Sequence, residues 1–420
     1  MNKIEIHDFD PKKGLPRLSS NTRQCRYLLG YLRDIGAETV VVEPHYLDRD
    51  YLDEFGAFYS QNPRGYPNHC SRLHFFSEPL DRARLKRVLG GGPQVGPKVK
   101  RSYLGFSVIR PIESKFGRTV LKWYDDVSEH PRPRKTRPKR TYKTHFGGIE
   151  LEVEGLAWQQ QDAAVGACAT VALWSMFHSS AFDNRHAIPT TVDVRRAAIS
   201  GAPFGHREFP SKGLNDDQIA EAIKGLGLQP LRIGGQLRNP AQSVYRAFRR
   251  ERFSRLASIL IRSGYPVLIS GILRRDSSTH LGGHAVCAVG FREPYSDSSP
   301  EPGRARIADD AVEYFYIHDD NIGPQARFEV QGKEAGGESY CVLAESTPDH
   351  VKREEPFELG LEGYELVPTQ LTTAVNDDVR LPLEKLVKLA QMLGSRYSDV
   401  MTSSFEQNFQ ESPEAAVMAT

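Results

Sequence analysis

Cysteine is scarce in this chain. Its 420 residues hold five, Cys25, Cys70, Cys168, Cys287 and Cys341. Few, odd in number and scattered, they lay out no disulfide framework, and a reducing cytoplasm is the expected home. Long apolar runs are missing too. No stretch reaches the roughly 20 residues that span a bilayer, so no membrane association is expected. The opening Met1-Asn2-Lys3-Ile4-Glu5-Ile6-His7-Asp8 has no apolar core of the signal-peptide kind. Net charge is small, +2, and argues neither for nor against an acidic partner. No repeat of solenoid length is present. Gly90-Gly91-Gly92 lacks the lysine and serine of a phosphate-binding loop and reads as a turn.

What is present is ordinary globular material: 39 % hydrophobic and 26 % charged residues, in a length that holds two or three domains. Residues 1–115 read as a small mixed α/β accessory domain. Its strands are expected over Glu38–Glu43, Ser71–Phe76 and Ser102–Ile112, and its helices over Tyr51–Tyr59 and Asp81–Leu89. Residues 116–145 form a basic connecting segment. Its run from Pro131 to Lys143 offers charge to phosphates, but it lacks a fold-level motif and reads as a solvated connection, so no nucleic-acid partner is expected. Residues 146–345 carry the chemical signals: helices over Ala169–Phe177, Ile219–Leu226 and Val244–Ile261, then strands over Tyr265–Gly271, His284–Phe291 and Val312–His318. Helices first and strands afterwards predict α+β segregation. Residues 346–420 read as a helical extension, with Leu383, Leu386, Val387, Ala390 and Leu393 on one face, and a disordered end.

The most informative residue is Cys168. The polar run Gln159-Gln160-Gln161-Asp162 and Gly166 give way there to the apolar Ala169-Thr170-Val171-Ala172-Leu173-Trp174. A cysteine at that boundary opens a helix, where unpaired N–H groups and the macrodipole favour a thiolate. Downstream, Gly282-Gly283-His284-Ala285-Val286 places a histidine at the opening of a strand, facing a cleft, as a general base requires. Further on, Tyr316-Ile317-His318-Asp319-Asp320-Asn321 puts carboxylates at a strand's end. Alternation sends Asp319 to the face of Phe315 and Ile317, so Asp319 is chosen to orient the imidazole, with Asp320 in reserve. A side-chain amide upstream would join the Cys168 backbone N–H in an oxyanion hole; Gln161 is the nearest, and Gln160 stays open. Gln, Cys, His and Asp in that order are the parts of a cysteine hydrolase.

The stretch from Gln161 to Trp174 resembles the glutamine-to-cysteine helix of papain-like cysteine peptidases. Gly283-His284-Ala285-Val286, with Val289-Gly290-Phe291, resembles their histidine strand. Tyr316-Ile317-His318-Asp319 resembles the third-residue strand in the aspartate version found in bacterial peptidases that process double-glycine leaders. The resemblance implies an α+β papain-like fold, a helical half against an antiparallel sheet half. It also implies catalysis by Cys168, His284, Asp319 and Gln161 on a protein or peptide substrate, with no cofactor and no metal. Ala169 stands where those enzymes commonly have glycine, and Gln161 lies one residue further from the cysteine than is usual. Transglutaminase-like enzymes and arylamine acetyltransferases share the order Cys, His, Asp, so acyl transfer is the alternative, as is a non-catalytic binding module. The accessory domain matches nothing known and is a candidate site for a protein partner.

Two other clusters have plainer readings. His69-Cys70 with His74 fits no zinc spacing. The basic and aromatic run Tyr245–Phe253 reads as an amphipathic helix with a cationic outer face.

Overall fold

A computed structural model describes residues 4–18, 22–89, 96–124, 134–146, 148–162, 168–183, 187–200, 213–238, 246–275, 280–292, 312–335, 337–346 and 363–376. The expected helical face at residues 383–393 lies outside them.

The first elements are β1 (Glu5–Asp8), α1 (Arg23–Asp34), β2 (Thr39–Tyr46), α2 (Arg49–Glu54), β3 (Cys70–Phe76), α3 (Arg82–Leu89), α4 (Gly96–Arg101), β4 (Tyr103–Ile109) and β5 (Phe116–Leu121). The strands form a five-stranded antiparallel sheet in the order β1-β2-β3-β4-β5. β-Branched Val40, Val41 and Val42 are buried in its second strand, as a sheet with covered faces demands. α1 begins at Thr22, whose hydroxyl accepts from the Cys25 N–H at 3.3 Å.

A hairpin of β6 (Arg140–Phe146) and β7 (Ile149–Gly155) follows, then α5 (Cys168–Phe177), α6 (Thr191–Ser200), α7 (Asp216–Gly225), β8 (Gln229–Gly234), the short pair β9 (Leu237–Arg238) and β10 (Arg246–Ala247), and α8 (Arg250–Arg262). α5 is apolar on all sides, and Ala169 to Phe177 are all buried, which marks a central helix rather than a surface one. α7 starts at a reciprocal cap between Asn215 and Gln218. α8 turns Phe253, Ala257 and Ile261 inward.

The last strands are β11 (Val267–Arg274), β12 (His280–Arg292), β13 (Tyr314–Asp319), β14 (Gly323–Ala335), β15 (Glu338–Glu345) and β16 (Glu365–Val375). Each pairs antiparallel with the next, and β16 pairs back onto β11, so six strands close into a barrel, with β8 beside β16. This corrects the expected fold class. The chain is mixed α/β, about 41 % strand and 28 % helix among the described residues, with a closed barrel where a papain-like helical half against an antiparallel sheet half was expected. The physical cause is β16. It covers the edge that β11 would otherwise expose, and closure removes unpaired backbone groups from that edge. Gly271 makes the approach feasible, since a Cβ there would sit 2.4 Å from the Val367 carbonyl oxygen. Pro368, which has no N–H to give, faces Gly271 at a shift in register.

Met1–Ala374 forms one compact unit, and α1 and the barrel share its largest core, where Tyr27, Tyr31 and Leu32 join Phe315, Tyr316 and Phe328. Of the second unit, Val375–Thr420, only Val375 and Asn376 are described. No helix among the described residues is long and apolar enough to cross a membrane.

Candidate active site

α5 opens at Cys168, which is half-buried, whereas Cys25, Cys70, Cys287 and Cys341 are buried. None of the five is paired. Burial pushes the thiols of Cys25, Cys70, Cys287 and Cys341 up, the wrong direction for a nucleophile.

α5 packs against β12, which carries His284. Gly282 lies two residues before it at φ +126°, a conformation that side chains rarely adopt, at a bulge in β12 where Leu281 has no partner in β11. A Cβ on Gly282 or Gly283 would meet nothing within 4 Å, so backbone conformation rather than close approach explains the first glycine. His284 is 6 % exposed. The Cys168 thiol lies close enough to its imidazole to help raise the ring's pKa. Nε2 lies 3.3 Å from Oδ2 and 3.4 Å from Oδ1 of Asp319, 3.8 Å from Oδ1 of Asp320, and 3.5 Å from Nδ2 of Asn321. The structure thus brings Cys168, His284 and Asp319 together, with Asp320 one step further away.

Asp319 is fully buried and held from several sides. Its Oδ1 accepts the Asn321 backbone N–H at 2.8 Å, and its Oδ2 accepts the Tyr364 hydroxyl. Its own carbonyl accepts the Trp158 indole N–H at 2.8 Å. Burial alone would raise its pKa, but His284, Tyr364 and the Asn321 N–H outweigh it and hold the carboxyl below its ordinary value. Burial would likewise lower the His284 pKa, yet the Asp319 charge and hydrogen bond, the Cys168 thiol and Asp320 hold it well above the usual imidazole value. Asp320 is a different case. Burial and the Asp319 charge together exceed the help from His284, and its carboxyl is pushed up to about 7. His318 points the other way. Its Nδ1 donates to the Ala157 carbonyl at 3.2 Å, and burial pushes it down to about 3, so it is a neutral structural histidine.

The three glutamines separate cleanly. Gln159 donates to Glu54 Oε1 at 2.9 Å, and Gln160 accepts from the Phe116 N–H at 3.3 Å through Oε1. Gln161 is half-buried, with no side-chain hydrogen bond to another described residue. Behind it lies a buried pair. Glu54 Oε2 accepts from Arg110 Nη1 at 3.0 Å, Glu54 Oε1 also accepts from Thr191 at 2.8 Å, and Arg110 Nη2 donates to the Gln160 carbonyl at 2.9 Å. This network fixes the backbone just before Gln161.

No family model matches this chain, and no curated protein matches it either.

Several residues at the site had not been singled out by sequence. Asn321 stood in the motif and was passed over. Tyr364 immediately precedes β16, and Arg23 stacks over its ring at 5.1 Å while pairing with half-buried Glu345. Gln24 donates to the Asp320 carbonyl at 3.1 Å. These contacts join positions hundreds of residues apart and leave no local pattern to read. Elsewhere, the basic segment sends Arg134 onto the rings of Tyr124 at 4.0 Å and Tyr316 at 5.5 Å. Cys70 is buried, His69 packs against His45 at 4.5 Å, and His74 bonds Glu43 and Tyr103, each at 3.0 Å.

Proposed function

We propose that this chain is a cysteine-type hydrolase, most directly a peptidase that cleaves a peptide or isopeptide bond through a Cys168 acyl-enzyme. One observation carries the reading: a single imidazole, His284, stands between a half-exposed thiol at a helix start and a buried, anionic carboxylate to which it hydrogen-bonds. Such constellations recur on unrelated folds, so the chemistry does not depend on the papain-like architecture.

Nε2 of His284 faces Asp319, which leaves Nδ1 for the thiol. Asp319 fixes that tautomer and supports the imidazolium formed when His284 takes the thiol proton. The thiolate attacks the carbonyl carbon. The resulting oxyanion is met by the backbone N–H of Cys168 and the amide of Gln161, the glutamine left without a structural task. The imidazolium then protonates the leaving amine, and water releases the thioester to restore the thiol. The substrate is a protein or peptide, with residues 1–115 the candidate docking region for it or for a protein partner. Five unpaired thiols fit a reducing compartment such as the cytoplasm.

The test is alkylation of the intact protein by iodoacetamide at pH about 6.5, below the roughly 8.5 of an ordinary thiol. Cys168 reacts ahead of the other four. Reaction at Cys25 or Cys70 with Cys168 inert removes the nucleophile assignment. With a substrate in hand, amines that consume the acyl-enzyme much faster than water would make the enzyme a transferase.

A further inference from the structure

We propose that the side of His284 turned away from the thiol is also a binding site for a divalent transition-metal ion, with His284 Nε2, Asp319 and Asp320 as ligands and Zn2+ as the ion that fits best, and that occupancy silences Cys168. The binding goes beyond the hydrolase reading; only the silencing rests on it.

The geometry comes first. One ligand atom from each of the three residues lies within 4.8 Å of the others, the one such group among the described residues. Ligands bound to zinc at about 2.0–2.2 Å in a tetrahedron stand roughly 3.3–3.6 Å apart. Nε2 and the two Asp319 oxygens, at 3.3 and 3.4 Å, already span that edge. Asp320 Oδ1, at 3.8 Å, is a few tenths of an ångström wide of it. Asp320 Oδ2 is buried without a hydrogen-bond partner, in a side chain only 2 % exposed, so the group holds an unused acceptor.

Charge points the same way. One imidazole cannot balance two carboxylates buried beside it. A divalent ion with a neutral imidazole balances both carboxylates, as buried charge requires. Asp319 already has outer partners in the Tyr364 hydroxyl and the Asn321 N–H, the kind of support that fixes a ligating carboxylate. One imidazole and two carboxylates suit zinc better than magnesium or calcium, which take six or more oxygens. Cys168 is not in the group. With Nε2 on the metal, His284 is a neutral ligand whose one proton sits on Nδ1, so it can neither accept the thiol's proton nor form the imidazolium that balances the thiolate.

Isothermal titration of the reduced, full-length protein with ZnCl2 tests the site. Cys168→Ala keeps it, while Asp320→Asn weakens it by at least about tenfold, the loss that even an outer partner brings. Zn2+ slows iodoacetamide labelling of Cys168 in the unmodified protein and not in Asp320→Asn. Equal affinity in Asp320→Asn assigns the ion to other histidines and overturns the site. So does a sulfur-to-cobalt charge-transfer band in the Co2+-loaded, unmodified protein, a readout that needs no variant. Prompt labelling of Cys168 without metal binding overturns this site alone. Metal binding with an inert Cys168 overturns the hydrolase reading and leaves the site standing.

Discussion

Tyr364 gives its hydroxyl hydrogen to Asp319 Oδ2, so the residue just before the barrel's closing strand also holds the carboxylate behind His284. Barrel closure and site geometry are therefore one event. Tyr364 stands at 6.3 Å from the His284 ring, edge-on, and touches no reacting atom, which makes it a positioning residue.

Tyr364→Phe removes that hydrogen bond and little else. A hydrogen bond to a charged group contributes about 1.5–3 kcal/mol. Urea unfolding of the variant should show a loss in that range. Alkylation of Cys168 should slow while the order of labelling among the five cysteines stays the same. An unchanged rate at normal stability would show that the hydroxyl does not position the site.

Asp319 and Asp320 both raise the His284 pKa, Asp319 by charge and hydrogen bond and Asp320 by charge alone. Removing Asp319 leaves burial as the dominant influence, and burial lowers an imidazole's pKa. NMR titration of the His284 ring should therefore find a large downward shift in Asp319→Asn and a smaller one in Asp320→Asn. The rate of Cys168 labelling at pH about 6.5 should fall in the same order. The reverse order would make Asp320 the orienting residue.

Asp320 weakens the fold it sits in. Its folded pKa of about 7 lies above the ordinary value, so the folded state binds more protons than the unfolded one. Stability then falls as pH rises from the unfolded pKa, near 4, to the folded value, and the full cost is present above it. Asp320→Asn removes a cost of roughly 2–4 kcal/mol at pH about 8, and the gain should vanish below pH about 4. Melting curves at the two pH values check the sign. A variant less stable at high pH would mean that the Asp320 charge is needed by a partner in the fold.

Local patterns in the sequence foretold local structure. The switch from glutamines to an apolar run marks where α5 begins, at Cys168, because a buried helix is apolar on every side. Alternation along β13 assigned Asp319 and Asp320 to opposite faces, but a register shift between Ile317 and Asp319 breaks the alternation, and both carboxylates reach His284 Nε2, Asp319 at 3.3 Å and Asp320 at 3.8 Å. Closure of the barrel left no such pattern. β16 carries Pro368 and a mixed sequence, and what makes it a strand is the complementary space at Gly271, nearly a hundred residues earlier. Glu54 falls inside the helix expected over Tyr51–Tyr59 and Arg110 inside the strand expected over Ser102–Ile112, with nothing in either pattern to pair them. Their pairing beside Gln159 and Gln160 exists only once the five-stranded sheet has folded.

A chain cut to residues 116–350 should not yield a working unit. It lacks β16, so β11 loses its Leu268–Arg274 partners and β15 loses its pairing at Leu343 and Ala344. Two unpaired edges in one sheet invite aggregation. It also lacks Tyr364 and α1. From α1, Tyr27 donates to the Pro324 carbonyl at 2.8 Å, Tyr31 donates to Gln325 at 2.8 Å, and Gln24 reaches the Asp320 carbonyl, so the turn that follows Asp319 loses its clamp. That turn needs holding, because Gln325 sits at φ +58°, a conformation that costs a non-glycine residue on the order of 1–3 kcal/mol. The fragment should be insoluble, or soluble without selective labelling of Cys168. A chain of residues 1–376 keeps all sixteen described strands and should melt cooperatively with Cys168 still the first to react. A soluble 116–350 fragment that melts cooperatively and labels at Cys168 would show that the site assembles without its clamp, and that α1 and β16 serve another purpose.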